Sequence, residues 1–446
     1  MGSGFAPYEP DQALLLPPSL RDWLPDDHLC YFIADTVDQL DIAPITSAYR
    51  RSGSGNVAYH PLLMLKLLIY GYCQGIMSSR KLAKEIDENV AFRILAAGQR
   101  PSHRSLSRFR QQHIDAFASI FAQVVQIAGE TGIAKMGTLA VDGTKVKANA
   151  SKHKAMSYER MQAEEERLNT EIAALLKAAE DEDALEDIQF GPDFRGDEVP
   201  EELQRREQRL ATIRAAKARL EARKREEEAD AIARDAEADQ IEKETGRKKR
   251  GPKRIQPAGT PKPKDQENFT DPDSRIMKAS SGGFDQCYNA QAGVDGEQQI
   301  IVAAEVTQSA ADTNQLLPMV KQASDITGQQ PKCVLADAGY RSEQNFEALE
   351  TDGVEAIVSI GKEGRTHSIG PDKPATKKMQ CKLKTKRGRA LYATRKHVVE
   401  PVFGWIKRGQ GFRAFSMRGL RKVSAEWKLV CLAQNLRRMH RMIEWA

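Results

Sequence analysis

From Ala155 to about Arg250 the chain is built largely of Ala, Glu, Lys and Arg, and this block separates one strand-like stretch from all the others. The isolated stretch is GTLAVDGTKVKANAS, starting at Gly137, and strand-like sequence resumes only at Phe284. Any sheet must therefore be assembled from pieces on either side of a long interruption. Within the block Met161, Leu168 and Leu175 stand at heptad spacing, as do Leu203 and Leu210, then Ile213 and Leu220. A breaker segment, FGPDFRGDEVP, divides the two sets. This predicts two long helices folded back as an antiparallel hairpin, or a marginal coiled coil. The following GRKKRGPKRIQPAGTPKPK reads as a flexible basic linker.

The strand-like segments share one peculiarity. In GTLAVDGTKVKANAS the apolar alternation carries Asp142 at its centre, and a buried acid there needs a cation, a hydrogen-bond network or a metal. FDQCYNAQAGVD and QQIIVAAEVTQ predict a hairpin around Asp295-Gly296, so Asp295 reads as a turn residue. A helix is expected from about Asp312 to Thr327. KCVLADAGYRS then predicts a short strand ending at Asp337, with Ala338-Gly339 turning the chain. A helix over Glu343–Leu349 and a buried strand over Val354–Ile360 complete an α/β core with a mixed sheet.

Upstream, residues from about Pro17 to His113 read as helical. PLLMLKLLIYGYC, from Pro61 to Cys73, is almost continuously apolar, which suits a buried helix begun by proline. It is too short to cross a membrane, and no apolar run elsewhere reaches the roughly eighteen residues a span requires. Ser79 is expected to cap SRKLAKEID, and Ser102 to cap SHRSLSRFRQQH, which carries Arg104, Arg108 and Arg110. Short helices ending in a basic one suit a helix-turn-helix-like module; a plain bundle with a solvated basic face is the alternative.

Charge is distributed unevenly. From Lys373 to the end there are twenty Lys and Arg against three acids, about +17, while the whole chain is only +5. The field suits a polyanion. Inside it, YATRKHVVEPVFGWIKR places a single acid, Glu400, among basic and aromatic residues. That acid is either a local ion-pair partner or a metal ligand beside phosphate. On a helix Lys407, seven residues on, would share its face, although Pro401 suggests that the helix starts or kinks there. Trp405 is expected to pack in the core, with stacking on an unpaired base as the sharper reading. The six cysteines are scattered without any C-x-x-C, which argues against a disulfide framework or a structural zinc site. MGSGFAPYEP lacks a basic-then-apolar signal pattern, so a cytoplasmic, nucleoid-associated protein is expected.

Asp142, Asp337 and Glu400 can meet only through the fold. Three carboxylates at one point repel unless divalent cations bind them, and hard oxygen ligands select Mg²⁺ or Mn²⁺. The blocks VDGTKVKANAS, TDPDSRIMK with GGFDQCYNAQAGVD, LADAGYRS and KHVVEPVFGWIK resemble the DDE transposases of bacterial insertion sequences. The likeness extends to the N-terminal YHPLLMLKLLIYGYCQGIMSSRKLAKEI. The resemblance implies an RNase H-like core with Asp142, Asp337 and Glu400 as catalytic acids and ligands of two Mg²⁺ or Mn²⁺ ions. Tyr392, Arg395, Glu400 and Lys407 match the family's Y-x₂-R-x₃-E-x₆-K signature except that the step from Arg395 to Glu400 is one residue long; Lys396 sits at the expected offset. Tyr392, Arg395, Lys396, Lys407 and Arg408, with Arg104 and Arg108, are the expected DNA contacts.

The implied organisation is a helical DNA-binding domain over 1–130, a discontinuous catalytic core over 131–154 and 270–415, a helical insertion with its linker over 155–269, and a basic C-terminal helix over 416–446. The expected activity is binding of terminal inverted repeats with metal-dependent DNA strand cleavage and transfer, on double-stranded DNA as a homodimer. A non-catalytic transposase-derived regulator and a metal-dependent nuclease without strand joining are the alternatives. Glu426 is the other candidate for the third acid.

Overall fold

A computed structural model describes residues 19–49, 58–190, 201–229, 232–233, 257–279, 282–361, 369–370 and 373–443. The leading decapeptide, residues 191–200 of the breaker and the KKRGPKR run of the linker lie outside the described residues.

The sheet is assembled across the interruption, as its sequence demands. Strand β1 (Thr138–Lys147) precedes the insertion; β4 (Arg275–Lys278), β5 (Phe284–Asp295), β6 (Ile301–Thr307), β7 (Cys333–Ala336) and β8 (Glu355–Val358) follow it. The order is β4-β5-β1-β7-β8, with β6 pairing beside β4 along the same edge of the long β5. β1 runs antiparallel to β5 and parallel to β7, and β7 is parallel to β8, so the sheet is mixed. All four residues of β7 are buried, as expected of a short apolar run in the parallel part of a sheet. The β5–β6 turn forms at Asp295, whose carboxylate accepts from Gln298 N at 2.7 Å.

The insertion leaves and re-enters through a two-stranded ribbon, β2 (Ala155–Ser157) against β3 (Gln266–Asn268). Between them α8 (Tyr158–Phe190) and α9 (Glu201–Glu227) pack side by side and antiparallel, since Arg206 meets Glu171 while Lys217 meets Glu165. Met161, Leu168, Leu210, Ile213 and Ala216 form a cluster separate from the main core, so the heptad seam buries itself. The buried carboxylate of Glu267 on β3 accepts from Arg219 at 2.7 Å and Arg223 at 3.3 Å, fixing α9 to the ribbon.

Helices α1 (Leu29–Asp38), α2 (Ala43–Thr46), α3 (Pro61–Cys73), α4 (Ser79–Glu88), α5 (Val90–Leu95), α6 (His103–Gln112) and α7 (Ala116–Glu130) precede the sheet. Pro61 opens α3, and Ser102 caps α6 by accepting from Ser105 N at 3.2 Å. Ser79 departs from expectation. It is the first helical residue of α4, and Ser78 holds the cap position. The remaining helices are α10 (Leu316–Thr327), α11 (Glu343–Thr351), α12 (Pro374–Lys384), α13 (Lys386–Gly404) and α14 (Leu420–His440).

Charge alone would place α14 at the surface, yet Val423, Trp427 and Leu429–Leu436 are buried where it packs against α3, α7 and β6. Its polar residues have work inside. Asn435 exchanges two 2.8 Å hydrogen bonds with the backbone of Ile301, closing part of the β6 edge. Glu426 accepts from Ser416 N and Met417 N, and Tyr72 bridges it to the buried Arg110. Arg110 is thus a structural residue of the core. The N-terminal helices and the sheet share one continuous hydrophobic core through this junction.

Glu426→Ala removes the acceptor for two backbone N–H groups and the counter-charge of Arg110. We expect it to cost about 3–5 kcal/mol, as when a buried pair loses one partner. Glu426→Gln, which keeps the shape, should cost clearly less in urea unfolding followed by circular dichroism.

Candidate active site

The ladder between β1 and β7 ends at the pair Val141–Ala336, and the next residue on each strand is an aspartate. Asp142 and Asp337 therefore stand side by side on adjacent strands, whose spacing is about 5 Å. Both are half-buried. Asp142 Oδ1 accepts from Gly143 N, and Asp337 Oδ1 accepts from Gly339 N, each at 2.8 Å. Burial pushes the Asp142 carboxyl up to about 6; Arg395 and the Gly143 N–H oppose the rise, and the charge of Asp337 adds to it. A shift of this kind, in a group with a specific charged neighbour, is common at functional sites.

Helix α13 brings the cations. Arg395, buried, places Nη1 3.0 Å from Asp142 Oδ2, and its own Nε has no partner among the described residues. Tyr392 lies under the guanidinium, with its ring centre 5.8 Å from Cζ. Lys396 is exposed, so of the two basic residues at the signature's ambiguous offset it is Arg395 that faces the acids. Lys407 is half-buried on the turn that follows α13; burial lowers its ammonium, and the charge of Asp142 opposes the fall. Arg408, Arg104 and Arg108 are exposed.

Glu400 is not gathered with the aspartates. It is exposed on α13 and has no hydrogen bond or ion pair among the described residues. No group of three His, Cys, Asp or Glu side chains is close enough to hold a metal among those residues. Glu426, the other candidate, is 1 % exposed and occupied by the donors of Ser416 and Met417, so it is not open to a ligand.

Of the two outcomes expected at Pro401, a helix start or a kink, the start is corrected. Pro401 lies inside α13, fifteen residues from its start. A proline removes the hydrogen bond to the carbonyl four residues back. That carbonyl, His397 O, accepts instead from Gln299 Nε2 at 2.9 Å, so the interruption is satisfied. A π-helical turn, Trp405–Gly409, follows and carries Lys407. Such turns are frequent at functional sites.

A polar network that sequence reasoning missed supports the pair. Asp312 accepts from Lys145 at 3.1 Å, Asn289 at 2.6 Å and Gln291 at 2.8 Å. The side-chain Oε1 of Gln291 accepts from the hydroxyl of Tyr340, three residues after Asp337, and Gln291 lies opposite Gly143 in the β1–β5 ladder. Asp142's neighbour and the turn after Asp337 are thus tied to one amide. The signal was present: Asn289 and Gln291, two apart on one face, are polar residues buried in the middle of β5.

Comparison with known families now bears on this geometry. A family model described as "Transposase DDE domain" matches residues 255–436, and one described as "Transposase domain (DUF772)" matches residues 18–112. The chain belongs to the DDE-type transposases of insertion sequences. The first match includes Asp337 and Glu400 and begins after β1, so Asp142 lies outside it. No curated protein and no solved structure matches the chain.

In this transposase a Cβ at position 143 would overlap the Gln291 amide. Gly143→Ala is expected to cost about 1–3 kcal/mol by overpacking. Because Gln291→Ala removes the obstructing group, the two changes should be non-additive, with a coupling of about 0.5–3 kcal/mol. Urea denaturation of the four proteins of the cycle measures it; strict additivity would remove Gln291 from the explanation of Gly143.

Proposed function

We propose that the protein binds the terminal inverted repeats of its insertion sequence and catalyses metal-dependent DNA strand cleavage and transfer on an RNase H-like sheet. The observation that carries the reading is the adjacency of Asp142, within β1, and Asp337, just past the end of the paired β7, with Arg395 facing Asp142. Asp142, half-buried and disfavoured further by the charge of Asp337, forms with Asp337 a pair of oxygen donors that a hard divalent cation relieves, so the pair fits Mg²⁺ or Mn²⁺. Such ions, when bound, activate the attacking oxygen and stabilise the leaving oxygen of an in-line phosphoryl transfer.

The chain's own residues do the rest. Arg395 orients Asp142 and keeps a positive charge beside it. Lys407 supplies a second positive charge beside the acids, and Tyr392 holds the Arg395 guanidinium. Glu400 is the third acid in this reading, reached from the exposed face of α13 once DNA is bound. Lys396, Arg408, Arg104 and Arg108 extend the basic surface for the duplex, with α6 serving a helix-turn-helix-like module. The protein acts as a homodimer on DNA, at the nucleoid. No helix of the described residues is long and apolar enough to cross a membrane.

Asp142→Asn and Asp337→Asn should each keep the circular dichroism spectrum and lower cleavage by more than about 100-fold, beyond the usual loss for a supporting residue. Mn²⁺ titration calorimetry should show weakened binding in both. Undiminished cleavage in Asp142→Asn would exclude it as a ligand.

Glu400 and Lys407 should separate chemistry from binding. Glu400→Gln is expected to bind element-end DNA as well as the parent and fail to cut it. Lys407→Ala should bind less tightly, with a salt slope shallower by about one unit. Filter binding at several salt concentrations, beside cleavage of the same labelled duplex, gives both readouts. Normal cleavage by Glu400→Gln removes it as third acid.

A further inference from the structure

On another flank of α13, Pro401 and Trp405 line a cleft of about 150 Å³ together with Gln299, Gln434, Arg437, Arg438 and Arg441. Arg437 and Arg441 sit over the Trp405 ring, with guanidinium carbons 4.7 and 5.0 Å from its centre. The expected core packing of Trp405 is corrected here: its ring is half-buried and serves as a platform for two cations.

Three guanidinium groups converge without a carboxylate pairing to any of them among the described residues. Burial lowers both Arg437 and Arg438, and the Arg441 charge adds to the fall in each. A basic last turn suits the negative end of α14, but that alone does not call for a cleft or an aromatic platform. Each arginine has five N–H donors. Arg437 uses one on Cys73 O at 2.6 Å and Arg438 one on Gln298 O at 2.9 Å, which fixes both heads while leaving other donors unused. The second, independent sign is Gln434: it is 8 % exposed, and its buried Oε1 has no hydrogen-bond partner. That oxygen is an acceptor, so a phosphate would meet it only through a bridging water carried in with the ligand.

We propose that this cleft binds a phosphate of the DNA backbone, as a contact separate from the acid pair. It rests on the reading of the protein as a DNA-acting transposase. A planar guanidinium fork matches phosphate oxygens, and a backbone contact made this way is independent of sequence. Because Arg395 and Trp405 lie on one continuous α13–π-turn segment, a duplex held at the cleft is held in fixed relation to the acids.

The test uses the full chain and a random-sequence duplex, with binding measured against salt. Arg441→Glu is the first variant, because that side chain is exposed and bonded to no other side chain among the described residues beyond its contact with the Trp405 ring. We expect binding to weaken about tenfold or more and the salt slope to become shallower by about one unit, while Arg441→Lys stays near the parent. Arg438→Gln combined with Arg441→Gln should lower the slope by about two. Unchanged slopes in a parent that binds DNA would overturn the cleft and leave the transposase reading intact. Failure of the parent itself to bind any duplex would instead overturn the reading. Binding of ATP or inorganic phosphate that Arg441→Glu abolishes, with an unchanged DNA slope, would overturn DNA as the occupant.

Discussion

The structure depends on the hydrogen-bonding of β1 along both of its edges. One edge carries the antiparallel ladder to β5 and the other the parallel ladder to β7, whose residues lie far along the chain. Bringing such distant strands together costs chain entropy, but the cost grows only logarithmically with the length enclosed. The ribbon of β2 and β3 closes the insertion at its base, so the core experiences a short connection where the sequence has a long one. The separate apolar seam of α8 and α9 then asks nothing of the main core. What the double pairing delivers is two aspartates in adjacent positions, and no local preference of either segment could have placed them there.

Holding those acids together is electrostatically unfavourable, and the surroundings are arranged to bear it. On one side Arg395 neutralises Asp142, and Lys407 stands near. On the other side of the strand, Asp312 is saturated by Lys145, Asn289 and Gln291, so a third carboxylate close to the pair is held by its own donors. Burial drives the Tyr340 hydroxyl well above its usual range, reinforced by the charges of Asp312, Asp142 and Asp337. The neutral form is thus favoured, and in it the Tyr340 hydroxyl donates to Gln291 Oε1. A network of this type is worth having only when every member is satisfied, which is why Gly143 must leave room for the amide.

Much of this was legible in the sequence, and the limits have physical causes. The strands around Asp142 and Asp337, the Asp295 turn and the self-sufficient helical pair follow from local alternation, turn chemistry and heptads. The pairing partners of β1 did not, because register is a tertiary property. Strand β4 was missed since four residues with one buried member leave little periodic signal. The burial of α14 was hidden by its charge: Lys and Arg crowd its ends, while Glu426, Gln434 and Asn435 occupy interior positions that read as solvent-facing. Asn289 and Gln291 were visible as polar residues in an apolar strand, but their common partner, Asp312, was not.

Helix α13 shows how a sequence irregularity becomes a structural instrument. The segment carries Pro401, which ought to break it, and continues because Gln299 takes over the carbonyl the proline abandons. Immediately beyond, the chain widens into the π turn. In an unbroken α-helix residues seven apart share a face, so Glu400 and Lys407 would be expected to point together. Lys407 instead lies within the widened turn, near Asp142, while Glu400 remains at the surface. The same stretch turns Pro401 and Trp405 toward the arginines of α14. One helix therefore presents cations to the acid pair along one flank and an aromatic support for further cations along another. Two contacts hold α13 beside the sheet, the Arg395–Asp142 pair and the Gln299 bond to His397 O. They tie the helix of Glu400 to β1 and to the β5–β6 turn, while Glu400 itself stays at the surface.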